Sequence, residues 1–190
     1  MSLRRLVRCV IIGFGLGAVA PAGAGVFTTA EATMASAYPG ARLERRTIAL
    51  SLTEQRALAK RAQVRCNARL ITVHLAWRGD SLLAAGVVDQ RIVRTMPGVF
   101  LVVVAPDTTI ARIEVLAFHE PPDYRPPSRW LGLFARRRLD DSLWPARSIR
   151  NLTGASLSAR AVTESARLAL ATYTQWIAPT LTTRTTGARR

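Results

Sequence analysis

Val99-Phe100-Leu101-Val102-Val103-Val104 is apolar at every position. A run of that length between turn signals reads as a β-strand at the centre of a sheet, covered on both faces, because a strand with one wet face would alternate with polar residues. Its neighbours lie close in sequence. Leu70 to Arg78 and Leu82 to Arg94 precede it and Ile110 to Phe118 follows, all short and rich in β-favouring residues. Arg78-Gly79-Asp80, Pro97-Gly98 and Pro106-Asp107 punctuate these runs with turn-forming residues. That spacing argues for a twisted antiparallel sheet. His74 alternates with Val73 and Leu75 inside a strand and is expected to be structural or solvent-facing rather than catalytic.

Helical patterns surround the strands. Thr28 to Tyr38 reads as a short helix with Thr28 or Thr29 as cap and Pro39-Gly40 as stop, and Arg42 to Leu50 reads as extended. Thr53 to Gln63 is expected to be a second helix opened by Thr53, with Leu58 and Ala62 on one side. Ser128 to Arg138 suggests a short helix with Trp130, Leu131 and Phe134 turned inward. From Leu157 onward Val162, Ala166, Ala169, Tyr173 and Trp176 recur at three- and four-residue intervals, the spacing of one helical face. The expected class is α+β: a twisted antiparallel sheet flanked by helices, forming one domain over 25–178 with a disordered tail at 179–190.

The 190 residues suffice for one domain with a real core, and 49% hydrophobic content is ordinary for a globular chain. The formal net charge of +15 would ordinarily raise nucleic acid as a partner. Lys60 is the only lysine, however, and the arginines are scattered with no nucleic-acid motif among them, so no nucleic-acid partner is expected. A mild attraction to anionic lipid headgroups follows from the charge alone. Residues 1–24 resemble an export signal: Arg4, Arg5 and Arg8 form a positive start, Val10 to Ala20 a short apolar stretch, and Ala22-Gly23-Ala24 a cleavage site. An uncleaved membrane anchor is the alternative for the same segment. Either places the rest of the chain outside the cytoplasm, in the periplasm or its equivalent, free or membrane-associated. Cys9 lies in the signal, which leaves Cys66 alone in the mature chain and excludes an intrachain disulfide there. With only His74 and His119 as histidines, no cluster has metal-ligand spacing, and a protein-built zinc site is not expected.

Two stretches carry candidate chemistry. The first is Arg150-Asn151-Leu152-Thr153-Gly154-Ala155-Ser156, running straight into the last helix. A helix N-terminus presents unpartnered backbone N–H groups and the positive end of the dipole, which suits a phosphate, and Gly154 allows close backbone approach. A plain alternative is that a hydroxyl in this run only caps the helix. The second stretch is Glu114 to Trp130, where Pro121, Pro122, Pro126 and Pro127 impose a stiff loop displaying His119, Glu120 and Tyr124. There the plain alternative is a connection whose aromatic residues cover the sheet. Asp140-Asp141 invites a paired-carboxylate interpretation, but adjacent side chains diverge in regular structure and a capping or solvated role is expected. No serine-histidine-acid arrangement, Walker loop or dinucleotide glycine fingerprint is present, so catalysis by protein side chains alone has little support.

Thr153-Gly154-Ala155-Ser156-Leu157-Ser158, followed by Ala161-Val162-Thr163-Glu164, resembles the S/T-G-A-T/S signature of FMN-binding domain proteins, the family that includes flavin-bearing subunits of ion-pumping, membrane-bound NADH and ferredoxin oxidoreductases. The resemblance implies that a flavin transferase attaches FMN through its phosphate to the hydroxyl of Ser156, with Thr153, Gly154 and Ala155 completing the motif. It also implies that the acid-then-proline loop lies near the isoalloxazine, which places His119, Glu120 and Tyr124 beside the ring. One position departs from the pattern. Where the family usually has an aspartate six residues before the acceptor, this chain has Arg150, so FMN is held either covalently or non-covalently with Arg150 neutralising phosphate charge. The implied function is an exported FMN-binding electron-transfer protein, a redox carrier more than a stand-alone enzyme, working with redox partner proteins that include membrane-bound ones. The alternative is a flavin-free exported module that docks on a membrane redox complex or an anionic ligand.

Overall fold

The computed structural model describes residues 25–181. The expected export segment 1–24 and residues 182–190 of the expected tail lie outside the described residues. The chain is α+β and forms one domain. Six strands, β1 (Gly25–Val26), β2 (Arg42–Ala49), β3 (Leu70–Arg78), β4 (Ser81–Ile92), β5 (Pro97–Val104) and β6 (Ile110–Phe118), make one antiparallel sheet in the order β1-β6-β5-β4-β3-β2. From β2 to β6 neighbouring strands follow sequence order, with short turns joining β3 through β6 and a longer, helix-bearing segment joining β2 to β3. Leu101 pairs with Val88 of β4 and Glu114 of β6, so β5 is bonded along both edges.

β5 is covered on both faces. Phe100, Val102 and Val104 enter the larger core, while Leu101 and Val103 join a smaller one with Ala30 and Met34 of helix α1 (Ala30–Ala37). Thr29 caps α1, its hydroxyl accepting from the Ala32 amide at 3.1 Å. His74, on the α1 face of β3, is buried, which pushes its imidazole below the ordinary histidine range.

Helix α2 (Leu52–Ala62) begins one residue earlier than expected. Ser51 is its cap, not Thr53: the Ser51 hydroxyl accepts from the Glu54 amide at 3.3 Å and the Glu54 carboxylate accepts from the Ser51 amide at 2.8 Å. This reciprocal pair needs a Glu three residues after the cap, which Ser51 has and Thr53 lacks. Ser51→Ala is expected to cost about 1 kcal/mol in urea denaturation, and Thr53→Ala much less.

The expected helix from Ser128 to Arg138 is shorter than its apolar spacing suggested. Ser128–Leu131 is helix α3, Gly132–Phe134 is a 3-10 turn, and Arg136 at φ +63° ends the helical course. Trp130 and Phe134 still turn inward and meet edge to face, with centroids 5.2 Å apart.

Helix α4 (Ser156–Thr172) packs against β4 and β5 on one side and α2 on another. The expected apolar stripe is present, but the helix is buried nearly all round. Thr163, Ser165, Arg167 and Thr172 are as inaccessible as Val162 and Ala166. Buried hydroxyls are satisfied locally, Thr163 donating to the Ala159 carbonyl and Thr172 to that of Leu168, each at 2.8 Å. The backbone continues through a π turn, Tyr173–Ile177, and stays helical to residue 181, so residues 179–181 of the expected tail belong to the helix. No described helix is long and apolar enough to cross a membrane.

Candidate functional site

The chain approaches α4 through a loop anchored by Leu143 and Ile149, both buried. Thr153 and Gly154 then form a turn in which Gly154 has φ +77°, a left-handed conformation that glycine adopts without a Cβ penalty. A Cβ at Gly154 would meet nothing within 4 Å, so the backbone here is open to approach. Ala155 is the N-cap residue, and no side-chain hydrogen bond caps the helix. The hydroxyls of this run are therefore not used as a cap. Ser156 is the first helical residue and is exposed. Ser158, two residues on, is 1% exposed, and its Oγ has no hydrogen-bond partner among the described residues. An uncapped helix start with an exposed hydroxyl at its first position leaves the first-turn amides open to an anionic group.

Arg150 sits at the edge of this turn. Its carbonyl accepts from Trp130 Nε1 at 2.7 Å, which ties the loop before α4 to α3. Between them lies a crevice of about 510 Å³ whose walls include Arg129, Trp130, Arg150, Asn151 and Thr153. Arg150 and Arg129 are both exposed and neither forms an ion pair among the described residues, so positive charge is available beside the helix start.

His119, Glu120 and Tyr124 are brought together, but around the turn between β4 and β5 rather than around a cavity. The Glu120 carboxylate, 4% exposed, accepts from the amides of Arg94, Thr95 and Met96 at 3.0, 2.6 and 2.8 Å through Oε1. The His119 amide donates to the Pro97 carbonyl at 3.1 Å, and the Arg94 guanidinium stacks 4.6 Å from the Tyr124 ring centroid. Glu120 thus pins a turn that has three otherwise unsatisfied amides. Those bonds, the Met96 amide foremost and the Thr95 amide next, hold its carboxyl below the ordinary glutamate range. The folded pKa is depressed, so this stabilisation is present above the ordinary glutamate range and is lost as pH falls through the folded value. Glu120→Gln should lower the melting temperature by several degrees at pH 7, with the gap to wild type closing as thermal unfolding is followed towards pH 3.

On the other flank of the α4 start lies a groove of about 660 Å³ between the ends of α2 and β4 and the first two turns of α4. Ile92, Val93, Trp144 and Leu157 give it apolar walls, and Arg65 and Arg160 a basic rim. Glu164 lines it too, taking Arg160 at 2.9 Å and Arg91 at 3.2 Å, while Arg91 also pairs with Asp89 at 2.7 Å. Sequence patterning missed this groove because its parts come from four separated segments, residues 59–65, 92–93, 144 and 157–164. Asp140 and Asp141 are not a catalytic pair: Asp140 accepts from the Ser142 amide and hydroxyl and the Leu143 amide, and Asp141 accepts from Gln63 at 2.9 Å. Cys66 is half-buried and unpaired, and among the described residues no group of three His, Cys, Asp or Glu side chains could hold a metal.

No model of a known protein family and no curated protein matches this chain.

Proposed function

We propose that the protein is an exported FMN-binding electron carrier, with FMN joined through its phosphate to Ser156 Oγ. The single observation that carries this is the start of α4, which opens on Ala155 without a side-chain cap and sets an exposed serine hydroxyl at its first position. The motif around it, Thr153-Gly154-Ala155-Ser156, is the one that resembles the flavin-attachment signature. In the attachment step Ser156 Oγ displaces the leaving group of an activated flavin phosphate presented by a flavin transferase. One P–O bond forms, one breaks, and the hydroxyl proton passes to a base.

Bound FMN would supply reversible one- and two-electron redox chemistry. The chain's own part is to hold, orient and charge-balance the group. The first-turn amides and the dipole of α4 favour the phosphate anion, and the Ser158 hydroxyl has unused hydrogen-bonding capacity in the same turn. Arg150, where the family usually has an aspartate, adds positive charge beside the phosphate and with Arg129 lines the adjoining crevice. The electron donor and acceptor are redox proteins outside the cytoplasm, and the arginine-rich surface favours acidic partners or an anionic membrane face.

The test is expression of the full chain with a flavin transferase, followed by denaturing electrophoresis under ultraviolet light. A fluorescent band is the expected result. Flavin that leaves on denaturation means non-covalent retention, and colourless native protein means a flavin-free docking module instead.

A further inference from the structure

We propose that the end of the sheet where β1 enters the fold is a docking surface for an anionic membrane. The inference does not depend on bound FMN; it assigns the face that the protein turns towards a bilayer.

The placement of exposed apolar side chains comes first. Among the described residues seven large hydrophobic side chains are exposed, and all seven belong to one end of the sheet. Val26 and Phe27 follow Gly25, which pairs with Phe118 at the close of β6. Leu70 opens β3 opposite Ala49, the last residue of β2, and Leu52 opens α2 just beyond. Ile92 closes β4, Met96 sits in the turn to β5, and Leu157, in the first turn of α4, lines the same hollow as Ile92. The opposite end, with the turns at 79–80 and 105–109, has none of them. Single exposed hydrophobics are ordinary on a protein surface, but their confinement to one end marks a place of contact. Six strands about 4.8 Å apart spread these side chains over roughly 24 Å. A bilayer surface meets all of them at once, whereas a ligand-sized hollow holds only a few.

Charge then names the kind of membrane. Arg65, Arg69, Arg94 and Arg125 lie at the same end, are exposed, and form no ion pair among the described residues. The Arg125 guanidinium stacks 4.1 Å from the Phe27 ring centroid and that of Arg94 4.6 Å from the Tyr124 centroid. Of the nearby acids, Glu54 and Glu120 are committed to backbone amides and Glu164 to Arg91 and Arg160. Asp123 is exposed as well, against four arginines. Arginine laid over an aromatic ring beside bare aliphatic groups suits a membrane interface, with the guanidinium on lipid phosphate and the ring and stem in the apolar layer. Such side chains favour anionic lipid.

The course of the chain agrees. Residues 1–24 join the fold at Gly25, at this end, and their sequence places the apolar run Val10 to Ala20 behind Arg4, Arg5 and Arg8. Where that segment is kept, its junction with the fold lies at a bilayer already; where it is cleaved, the apolar and basic side chains remain.

Met96 offers a readout that needs no substitution. It is 50% exposed while Met34 is fully buried, so hydrogen peroxide converts the Met96 thioether to the sulfoxide and spares Met34. The full chain is oxidised alone, with phosphatidylcholine vesicles, and with vesicles of phosphatidylcholine and phosphatidylglycerol in equal parts, and the tryptic peptide 95–112 is weighed. Oxidation of Met96 is expected to slow severalfold with phosphatidylglycerol and much less with phosphatidylcholine alone. Protein that sediments with the anionic vesicles while Met96 reacts at its free rate is held elsewhere, and overturns the proposal. Failure to sediment with them, equal protection by phosphatidylcholine, or protection that grows with protein concentration in the absence of lipid, the mark of a second copy on this face, overturns it too. Leu70→Glu combined with Ile92→Glu, both at exposed positions, is expected to abolish the protection with little change in melting temperature, and protection that persists contradicts the docking surface.

Discussion

Arg167→Met is expected to destabilise the fold by about 4 kcal/mol, the loss of several charge-assisted hydrogen bonds from a dry site. Arg167 is 1% exposed in the middle of α4, and among the described residues no carboxylate forms an ion pair with it. Its guanidinium donates instead to the Ala62 carbonyl at 2.7 Å, the Asp140 carbonyl at 2.6 Å, the Leu143 carbonyl at 3.2 Å and Gln63 Oε1 at 2.8 Å, and it lies 4.7 Å from the Trp144 ring centroid. Those acceptors belong to the end of α2 and the loop leading to the candidate site, so one side chain ties three segments together. Burial, its largest influence, lowers the guanidinium pKa, but arginine stays charged because its starting value is so high. Methionine matches the stem and leaves the four acceptors without a donor. Lysine fares little better, because one ammonium cannot span acceptors spread around a planar fork. Urea denaturation reads the effect directly: a midpoint that falls sharply at unchanged slope is expected, and a change below about 1 kcal/mol would show that water replaces the guanidinium.

Ser156→Ala is expected to abolish covalent flavin while leaving the fold intact. Ser156 is exposed, makes no side-chain hydrogen bond among the described residues, and is not the α4 cap, so the substitution removes only the hydroxyl. Alanine also favours the helix slightly. The gel fluorescence of the loaded protein should disappear while the melting temperature moves by no more than a degree or two. Fluorescence that survives in Ser156→Ala would move the attachment to another hydroxyl, with Thr153 and Ser158 the nearest.

Much of the fold was legible because it depends on patterns local in sequence. The uniformly apolar run through β5 announced a strand with two covered faces, and turn residues at Gly79 and Asp107 announced two turns of the meander; Pro97-Gly98, expected as a turn, instead begins β5 and pairs on both edges, and the bend lies at residues 93–96. Boundaries were less legible. Ser51 caps α2 because Glu54 answers it, a pairing overshadowed by the neighbouring Thr53. The burial of α4 on nearly every side was hidden because Thr163, Ser165 and Arg167 look like a solvated face until their partners arrive from Ala159, Asp89 and Ala62. The candidate site divides the same way. The Thr153 to Ser156 run could be singled out from chemistry in one stretch. The committed carboxylate of Glu120, by contrast, faces amides 24 to 26 residues away, and the groove draws on α2, β4 and α4 at once. Long-range partnership of that kind leaves no periodic trace in a single chain.

The most direct measurement is the mass of the tryptic peptide 151–160, which carries Thr153, Ser156 and Ser158, from cells that express the chain together with a flavin transferase. Bond formation at Ser156 predicts an increase equal to FMN less one water, with fragmentation placing it on residue 156. The unmodified mass, together with native protein that shows no visible absorbance, would contradict it.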